Sequence, residues 1–253
     1  MKKKPTTQSV EYRSRKKIKN LIRQRILPSV TKDISIGRRY TNLAEKVHGG
    51  NVLVVGVGDK KDYYCKTFSK SLVITSDVHC QFGADIVFDT HRIPFSSNFF
   101  TLVLAAQVLE HTCRPWITAS EMQRVTKPGG YIQVEVPFIF PFHGIPFDFY
   151  RFTPSSLSFL FPQCKIIDFE IPEGNWSGAA VALENALINS FKNRYFRIIA
   201  LFFGRLLFWW LKYLDRLFQK CSYAIPKGYS VTYLKDGKNR SDRQLIEETM
   251  IYQ

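Results

Sequence analysis

The chain has 253 residues, 45% of them hydrophobic, and a formal net charge of +15 at pH 7. This length can hold one α/β domain with additions, and the apolar content is enough for a sizeable core. The five cysteines are scattered and odd in number. Together with the absence of a short Cys/His spacing, this argues against a disulfide framework or a zinc site and predicts reduced thiols in a cytoplasmic protein. The lysines at positions 2–4 lead into polar sequence, which predicts no signal peptide.

Most of the basic excess lies in the segment 1–40, which holds 13 Lys and Arg against Glu11 and Asp33, a net charge of +11. The rest of the chain therefore carries only +4 of the total +15. Residues 13–27 predict a helix with one apolar face, formed by Ile18, Leu21, Ile22 and Ile26. A basic amphipathic helix suits an anionic membrane surface or nucleic acid. The alternative is a solvated helix that packs its apolar stripe on the domain.

A buried strand at residues 52–55 ends in the glycine turn Gly56-Val57-Gly58. Glycine tolerates positive φ and lets backbone N–H groups come close to a ligand. A second apolar run, residues 72–76, ends at Asp77. This acid follows Gly58 at the spacing of roughly 20 residues at which a carboxylate accepts the hydroxyls of a ribose. The pattern predicts a site for a nucleotide-like ligand.

Three further elements follow in chain order. Residues 84–88 and 101–106 are apolar runs that predict strands. A helix is predicted at residues 114–127, with Thr112 as a candidate cap. Pro128-Gly129-Gly130 is expected to stop that helix before a strand that ends at Pro137.

The motifs from residue 51 to 137, in this order, resemble the core of class I S-adenosylmethionine-dependent methyltransferases, in particular the type 11 group. The pieces that carry the resemblance are Val55-Gly56-Val57-Gly58, Asp77, Asp89 with Ile93-Pro94-Phe95, Asn98-Phe99-Phe100-Thr101-Leu102-Val103, Val108-Leu109-Glu110-His111, and the run from Glu121 to Gly130. The resemblance implies a Rossmann-like, doubly wound, mostly parallel seven-stranded sheet of the α/β class. It also implies S-adenosyl-L-methionine as the cofactor, bound by Gly56, Gly58, Asp77, Asp89 and Gln107.

Two departures from the family pattern bear on cofactor binding. Val54 stands where the family has an acid, which removes one way of holding the glycine loop and the methionine amino group. Lys60 stands where the family has a third glycine and brings a cation and a long side chain close to the expected methionine carboxylate, where the two alternatives are that it assists binding or blocks it. These departures support a competing hypothesis, a non-catalytic module that kept the fold.

An aromatic loop, residues 138–154, follows the fifth strand and is expected over the carboxyl edge of the sheet. Some type 11 members, including ones associated with glycan modification, are similar here. Polar side chains in apolar surroundings need partners and are functional candidates. The candidate catalytic residues are His111, His143, Asp148, Tyr150 and Arg151. The alternatives are a capping or packing role for His111, and a loop-fixing ion pair between Asp148 and Arg151, with Thr153 capping a helix at residues 154–160.

The C-terminal half predicts a strand at residues 165–171, a helix at 176–190 and a last strand at 229–234. Between that helix and the last strand, residues 193–219 predict an inserted helix. A helical wheel places Arg194, Arg197, Arg205, Lys212 and Arg216 on one stripe, with Phe, Leu, Ile and Trp elsewhere. This composition favours a helix lying in a membrane interface. Packing on the domain, or in a homodimer, is the alternative, and a true span is disfavoured because charges interrupt the run.

The sequence thus predicts a basic arm (1–40), a methyltransferase domain (41–235) with a lipophilic helical insertion (176–220), and a polar tail (236–253) with a short helix at 242–252. The expected activity is methyl transfer to a hydroxyl of a glycan or lipid-linked small molecule, in the cytoplasm or at the inner face of a membrane. An RNA methyltransferase is a third hypothesis. It is disfavoured because the chain has no Asn/Asp-Pro-Pro-Tyr motif and no separate RNA-binding domain.

Overall fold

The computed structural model describes residues 28–144, 147–218 and 224–250, without the side chains of Gln81, Thr249 and Met250. The predicted helix at residues 13–27 lies outside these ranges. The described strands are β1 (Asn51–Val55), β2 (Leu72–Asp77), β3 (Ile86–Val87), β4 (Phe100–Ala106), β5 (Thr126–Pro137), β6 (Lys165–Glu173) and β7 (Gly228–Leu234). The described α-helices are α1 (Ile36–Lys46), α2 (Lys61–Thr67), α3 (Pro115–Val125), α4 (Pro154–Leu160), α5 (Asn175–Asn189), α6 (Arg194–Phe208), α7 (Leu214–Leu217) and α8 (Asp242–Met250).

The strands form one sheet in the order β3-β2-β1-β4-β5-β7-β6. Its strands are parallel except β7, which runs antiparallel to both β5 and β6. This confirms the predicted doubly wound, mostly parallel, seven-stranded sheet, and the helices α5 and α6 precede the last strand as expected.

The alternation of side chains along β1 explains why helices cover both faces of the sheet. Val52 and Val54 pack in a layer with residues of α1 and α2, whereas Leu53 and Val55 pack in the opposite layer with residues of α3 and α4. A strand buried on both faces is apolar throughout, as the sequence of β1 is.

The chain order changes direction between β1 and β4, which are neighbours in the sheet. From β1 the chain builds outward to β2 and β3, and then returns to build β4 and β5 on the other side. The loops after β1 and β4 therefore diverge and leave a crevice at the carboxyl edge, which is where open α/β sheets bind ligands. This switch point sets the position of the candidate site.

Three local predictions were wrong. The third strand shortens to Ile86–Val87, because Asp85 accepts hydrogen bonds from the backbone N–H and the hydroxyl of Thr75. The helix before β5 ends at Val125, and Pro128-Gly129-Gly130 lies inside β5. Thr112 does not cap that helix, because the N-cap position falls at Arg114 and the Thr112 hydroxyl donates to Leu109 O.

The predicted single helix over residues 193–219 is also wrong, because α6 ends at Phe208 and is followed by a 3₁₀ turn and then α7. Arg205 does not share an outward basic stripe. Its Nε donates to Glu184 Oε1 of α5 at 3.0 Å, and its side chain is 13% exposed. Arg205 therefore ties α6 to α5.

The outward face of α6 is apolar. Eight of its side chains are each 46–75% exposed, namely Tyr195, Phe196, Ile198, Ile199, Phe202, Phe203, Leu206 and Leu207. Across the described residues, none of the helices has the length and apolar character needed to cross a bilayer.

Candidate active site

The glycine loop after β1 borders open space. Gly56 and Gly58 adopt φ of +66° and +54°, a region that glycine enters without steric cost. A Cβ on Gly56 would lie 2.5 Å from Val108 Cγ2, whereas a Cβ on Gly58 would meet nothing within 4 Å. Gly56 is therefore required by packing, and the backbone at Gly58 is accessible to a ligand.

Asp77 is joined to this loop. The Gly58 N–H donates to Asp77 Oδ2 at 3.1 Å, and the His79 N–H donates to Asp77 Oδ1 at 3.0 Å. The residue is only 8% exposed. Since a carboxylate offers about four lone-pair sites, both oxygens keep capacity for a ribose hydroxyl. The arrangement fits the ribose of a nucleoside cofactor.

Asp89 and Gln107 flank this region. The Asp89 side chain is 69% exposed and accepts a bond from the His91 N–H. That bond and the His91 ring lower the pKa of Asp89. Gln107 has a φ of +59°, and its N–H donates to Glu135 O at 2.8 Å. Positive φ is uncommon for a residue other than glycine, and such conformations cluster at ligand sites.

Sequence reasoning missed a charged cluster at the same edge. Val54, in place of the family acid, is buried among apolar side chains. On that face of the sheet, Glu135 Oε1 accepts bonds from Arg39 Nε at 3.1 Å and the Tyr40 hydroxyl at 2.9 Å. The guanidinium of Arg39 is 1% exposed and also pairs with Asp33. The signal in the sequence was Glu135 itself, a charge within an apolar strand.

Across the crevice, Glu110 is fully buried at the start of the segment after β4. No donor in the described part of the chain hydrogen-bonds to either of its carboxylate oxygens. Burial raises the pKa of Glu110 to about 8. The sequence placed Glu110 within a family motif, but its isolation from donors depends on tertiary packing.

His111 and His143 lie against this carboxylate. Their Nε2 atoms are 3.7 Å and 3.9 Å from Glu110 Oε1. The Nδ1 of His111 is 2.5 Å from Phe147 O, and that of His143 is 3.2 Å from Pro141 O. Because a carbonyl oxygen only accepts, each Nδ1 is assigned the proton, and each Nε2 lone pair then faces Glu110. Burial lowers the pKa of His143.

The other loop candidates hold this arrangement in place. Arg151 donates to Asp148 Oδ1 at 2.6 Å and to Asp148 Oδ2 at 2.9 Å. This pairing lowers the pKa of Asp148. Asp148 Oδ2 in turn accepts the His143 N–H at 2.8 Å. The Tyr150 hydroxyl donates to Cys113 O at 3.1 Å, and Thr153 caps α4 as expected.

A cavity of about 550 Å³ lies beside the carboxyl-terminal end of β6. Its lining includes Lys32, Arg38, Lys212 and Arg216 as well as Glu170 and Asp215. Both acids already accept bonds, Glu170 from Arg39 and Asp215 from the first N–H groups of α5. The lining therefore has an excess of positive charge.

Comparison with known proteins supports the family suggested by the motifs. Residues 41–134 match the family model described as a methyltransferase domain. An uncharacterized methyltransferase of Mycobacterium tuberculosis strain H37Rv is 45% identical over 40 residues, and an uncharacterized methyltransferase of strain H37Ra matches equally. The match spans only 16% of this chain and 16% of these relatives.

Solved structures share the fold. A putative methyltransferase from Bacillus halodurans superimposes with a TM-score of 0.52 at 13% identity, covering 81% of this chain and 100% of the other. Coclaurine N-methyltransferase, bound to N-methylheliamine and SAH, superimposes with a TM-score of 0.50 at 10% identity, covering 80% and 72%. The family match over residues 41–134 and the shared fold support a class I S-adenosylmethionine-dependent methyltransferase. The cofactor of this class is S-adenosylmethionine.

Proposed function

We propose that this protein transfers a methyl group from S-adenosylmethionine to a hydroxyl of a glycan or lipid-linked small molecule. The observation that carries the proposal is the meeting of two groups at the switch point of the sheet. The glycine loop and Asp77 lie on one side, and the cluster of Glu110, His111 and His143 lies on the other.

The cofactor supplies a methyl group already activated by its sulfonium. The residues of the chain hold and align the two reactants, which can account for much of the acceleration. Asp77 accepts the ribose hydroxyls, and the accessible backbone at Gly58 lets the cofactor pass close to the loop. We assign Asp148 and Arg151 to positioning, because they bind each other and the loop backbone.

The acceptor side combines aromatic and cationic surface. Phe142, Phe147 and Phe149 are each about half exposed or more around the histidine pair. We also assign to the acceptor the cavity beside β6, which is lined by an excess of Lys and Arg but by none of the residues of the histidine cluster. Flat apolar faces and cations suit an acceptor that carries rings and an anionic group such as a phosphate.

The cofactor assignment is tested by calorimetry. Asp77→Ala removes a charge-assisted contact worth on the order of 1.5–3 kcal/mol, so affinity for S-adenosylmethionine should fall roughly ten- to a hundredfold. Asp62→Ala, which removes an exposed carboxylate in the first turn of α2, should bind as the wild type does. Wild-type protein that shows no binding at millimolar cofactor would favour a non-catalytic module.

The acceptor class is tested by release of S-adenosylhomocysteine with hydroxyl acceptors that do or do not carry phosphate. Lys32→Glu/Arg216→Glu should raise KM for the phosphate-bearing acceptors and leave cofactor affinity unchanged. His143→Ala should lower turnover, again with unchanged cofactor affinity. An equal loss of cofactor binding in either variant would assign these residues to the support of the fold.

We further propose that the outward face of α6 docks on an anionic membrane. Its eight exposed apolar side chains form a continuous stretch that soluble surfaces rarely leave open, and the chain carries +15. Apolar burial and attraction to anionic lipid would act together.

Phe203→Glu/Leu206→Glu should abolish flotation with anionic liposomes, whereas Trp116→Glu, which changes an equally exposed aromatic residue on α3, should not. If the wild type does not bind liposomes but sediments as a dimer, and the Phe203→Glu/Leu206→Glu protein sediments as a monomer, this face is assigned to a homodimer.

A further inference from the structure

We propose that Glu110, His111 and His143 form a binding site for one divalent transition-metal ion such as Zn²⁺. Each side chain offers one ligand atom, and the three atoms lie within 4.8 Å of one another. Two imidazole nitrogens with one carboxylate oxygen are a donor set that Zn²⁺ and Fe²⁺ take in proteins. This goes beyond methyl transfer, since it assigns a ligand to residues outside the predicted cofactor-binding set.

The separations suit an ion between the three atoms. Bonds of about 2.1 Å to a tetrahedral ion place ligand atoms ~3.4 Å apart. Glu110 Oε1 lies 3.7 Å from His111 Nε2 and 3.9 Å from His143 Nε2. All three ligand atoms lie within 4.8 Å of one another, so binding of the ion would draw them closer by up to about 1.4 Å relative to the tetrahedral spacing.

Glu110 supplies independent evidence for a ligand at this position. Its side chain is fully buried, yet neither carboxylate oxygen accepts a hydrogen bond from the residues that the structure describes. A buried polar group without a partner costs about 1–3 kcal/mol, and more when charged. A cation held by the same carboxylate removes that cost.

The histidines are oriented as metal ligands are. A ligating histidine almost always donates its other ring N–H to a carbonyl or carboxylate, which fixes the ring and the tautomer. The Nδ1 of His111 faces Phe147 O, and the Nδ1 of His143 lies 3.2 Å from Pro141 O and 3.1 Å from Asp148 Oδ2. The lone pairs that remain, on Nε2, are therefore directed at the proposed ion.

Backbone geometry locks this arrangement. Gly144 has a φ of +63°, and a Cβ added there would lie 2.7 Å from His111 Cε1. Any larger residue would displace the His111 ring.

The two histidines are 29% and 30% exposed while the carboxylate is buried, so the site is open on the solvent side. Three protein ligands with one open position are the pattern of a catalytic zinc site. If the proposed function holds, the open position would take the acceptor oxygen.

The sequence alone predicts no metal site, because the ligands do not follow a short Cys/His spacing. His111 follows β4, whereas His143 lies beyond β5. Only the packing of the loop after β5 on the segment after β4 brings the two histidines together.

The test uses full-length protein without a histidine tag, stripped with chelator and titrated with Zn²⁺ against a chromophoric chelator. We expect one ion per chain, with binding weakened at least tenfold, the scale of ligand-shell losses, in His111→Ala, His143→Ala and Glu110→Gln. The chain has three other histidines, and His48→Ala/His79→Ala/His91→Ala should bind as the wild type does. Co²⁺ should give the visible absorption of a four- or five-coordinate ion in the wild type and in this control variant.

Two further variants separate ligation from folding. Asp148→Asn and Gly144→Ala remove no ligand, yet both should weaken Zn²⁺ binding, with circular dichroism unchanged. Binding equal in the wild type and in His111→Ala/His143→Ala, or no bound ion at micromolar Zn²⁺, would overturn the proposal. Calorimetry with S-adenosylmethionine is read separately, so retained cofactor binding without Zn²⁺ binding rejects the metal site alone, and the reverse result rejects only the proposed activity.

Discussion

At the residue scale, the two glycines of the loop after β1 are required for different structural reasons. Gly56 is fixed by the Val108 side chain, and Gly58 is fixed only by its backbone angle and its bond to Asp77. A substitution at Gly58 therefore separates ligand binding from packing, which a substitution at Gly56 does not.

Gly58→Ala should cost about 1 kcal/mol of stability, because a positive φ is strained for alanine. It should also lower affinity for S-adenosylmethionine, because its Cβ enters the open space beside the loop. Gly49→Ala is the matched control, since Gly49 also has a positive φ of +73° and open space around its Cβ. Gly49→Ala should lose similar stability in urea unfolding but keep cofactor affinity. A Gly58→Ala protein with wild-type affinity would move the cofactor away from this loop.

Asp85 predicts a specific pH dependence of stability. Burial alone would raise the pKa of Asp85, but hydrogen bonds from Lys61 and Thr75 lower it to about 2. A depressed folded pKa stabilises the protein above the unfolded value of about 3.9, and the gain is lost as pH falls toward 2. The urea midpoint of Asp85→Asn should therefore fall less than that of the wild type between about pH 5 and pH 3. If the urea midpoint falls equally in both proteins, Asp85 does not contribute to the loss of stability in acid.

At the scale of elements, a buried ion cluster attaches α1 to the sheet. Arg39 of α1 pairs with Asp33 at 2.6 Å, with Glu135 of β5 at 2.8 Å and with Glu170 of β6 at 2.8 Å. Burial opposes the charge of Arg39, but Glu135 and Asp33 raise its pKa overall. One cation thus pairs with three carboxylates, and the cluster joins α1 to β5 and β6 near the candidate site.

Arg39→Met should lower the free energy of unfolding by about 3–5 kcal/mol, because it leaves partly buried carboxylates without their cation. Arg38→Met is the neighbouring control. The Arg38 side chain is 73% exposed and lies 3.8 Å from Glu170, so its loss should change stability by less than about 1 kcal/mol. Urea unfolding of the two variants measures the difference. A loss of stability in Arg39→Met as small as the loss in Arg38→Met would show that the cluster adds little.

At the same scale, apolar periodicity predicted the existence of elements better than their ends. The strands and the helices α3, α4 and α5 were predicted from such runs, whereas α1 and α2, which cover the other face of the sheet, were not. The shortening of β3 depends on the bonds between Asp85 and Thr75, and the end of α6 at Phe208 depends on packing with α5. Those contacts join residues of different elements, 10 and 21 positions apart in the chain, so the periodicity within one element does not contain them.

At the scale of the whole molecule, charge and apolar surface are separated along the chain. The segment 1–40 carries +11, and α6 carries the exposed apolar face. If both contact lipid, the two contributions should respond differently to salt, because charge attraction is screened and apolar burial is not.

Deletion of residues 2–25 should therefore weaken binding to anionic liposomes mainly at low salt, where each basic residue contributes about 1 kcal/mol. The Phe203→Glu/Leu206→Glu protein should fail to float with anionic liposomes at every salt concentration. Flotation across a salt series compares the two. Should the deletion leave binding unchanged at low salt, the arm has another role and α6 acts alone.

The sequence by itself determined the class of fold and the position of the glycine loop and Asp77 at the carboxyl edge of the sheet. Gly56, Gly58 and Asp77 lie directly after strands, and a strand-terminal motif marks its own position in a parallel sheet. The sequence also named His111, His143, Asp148 and Arg151 and offered an ion pair between Asp148 and Arg151, but it did not relate the two histidines to each other or to Glu110. Only the tertiary structure brought His143 close to Glu110, with the Nε2 atoms of His111 and His143 at 3.7 and 3.9 Å from that buried carboxylate. It also directed the Arg205 side chain toward α5. These outcomes depend on long-range packing and on the desolvation of charged groups, and neither quantity is set by the residues nearby in the chain.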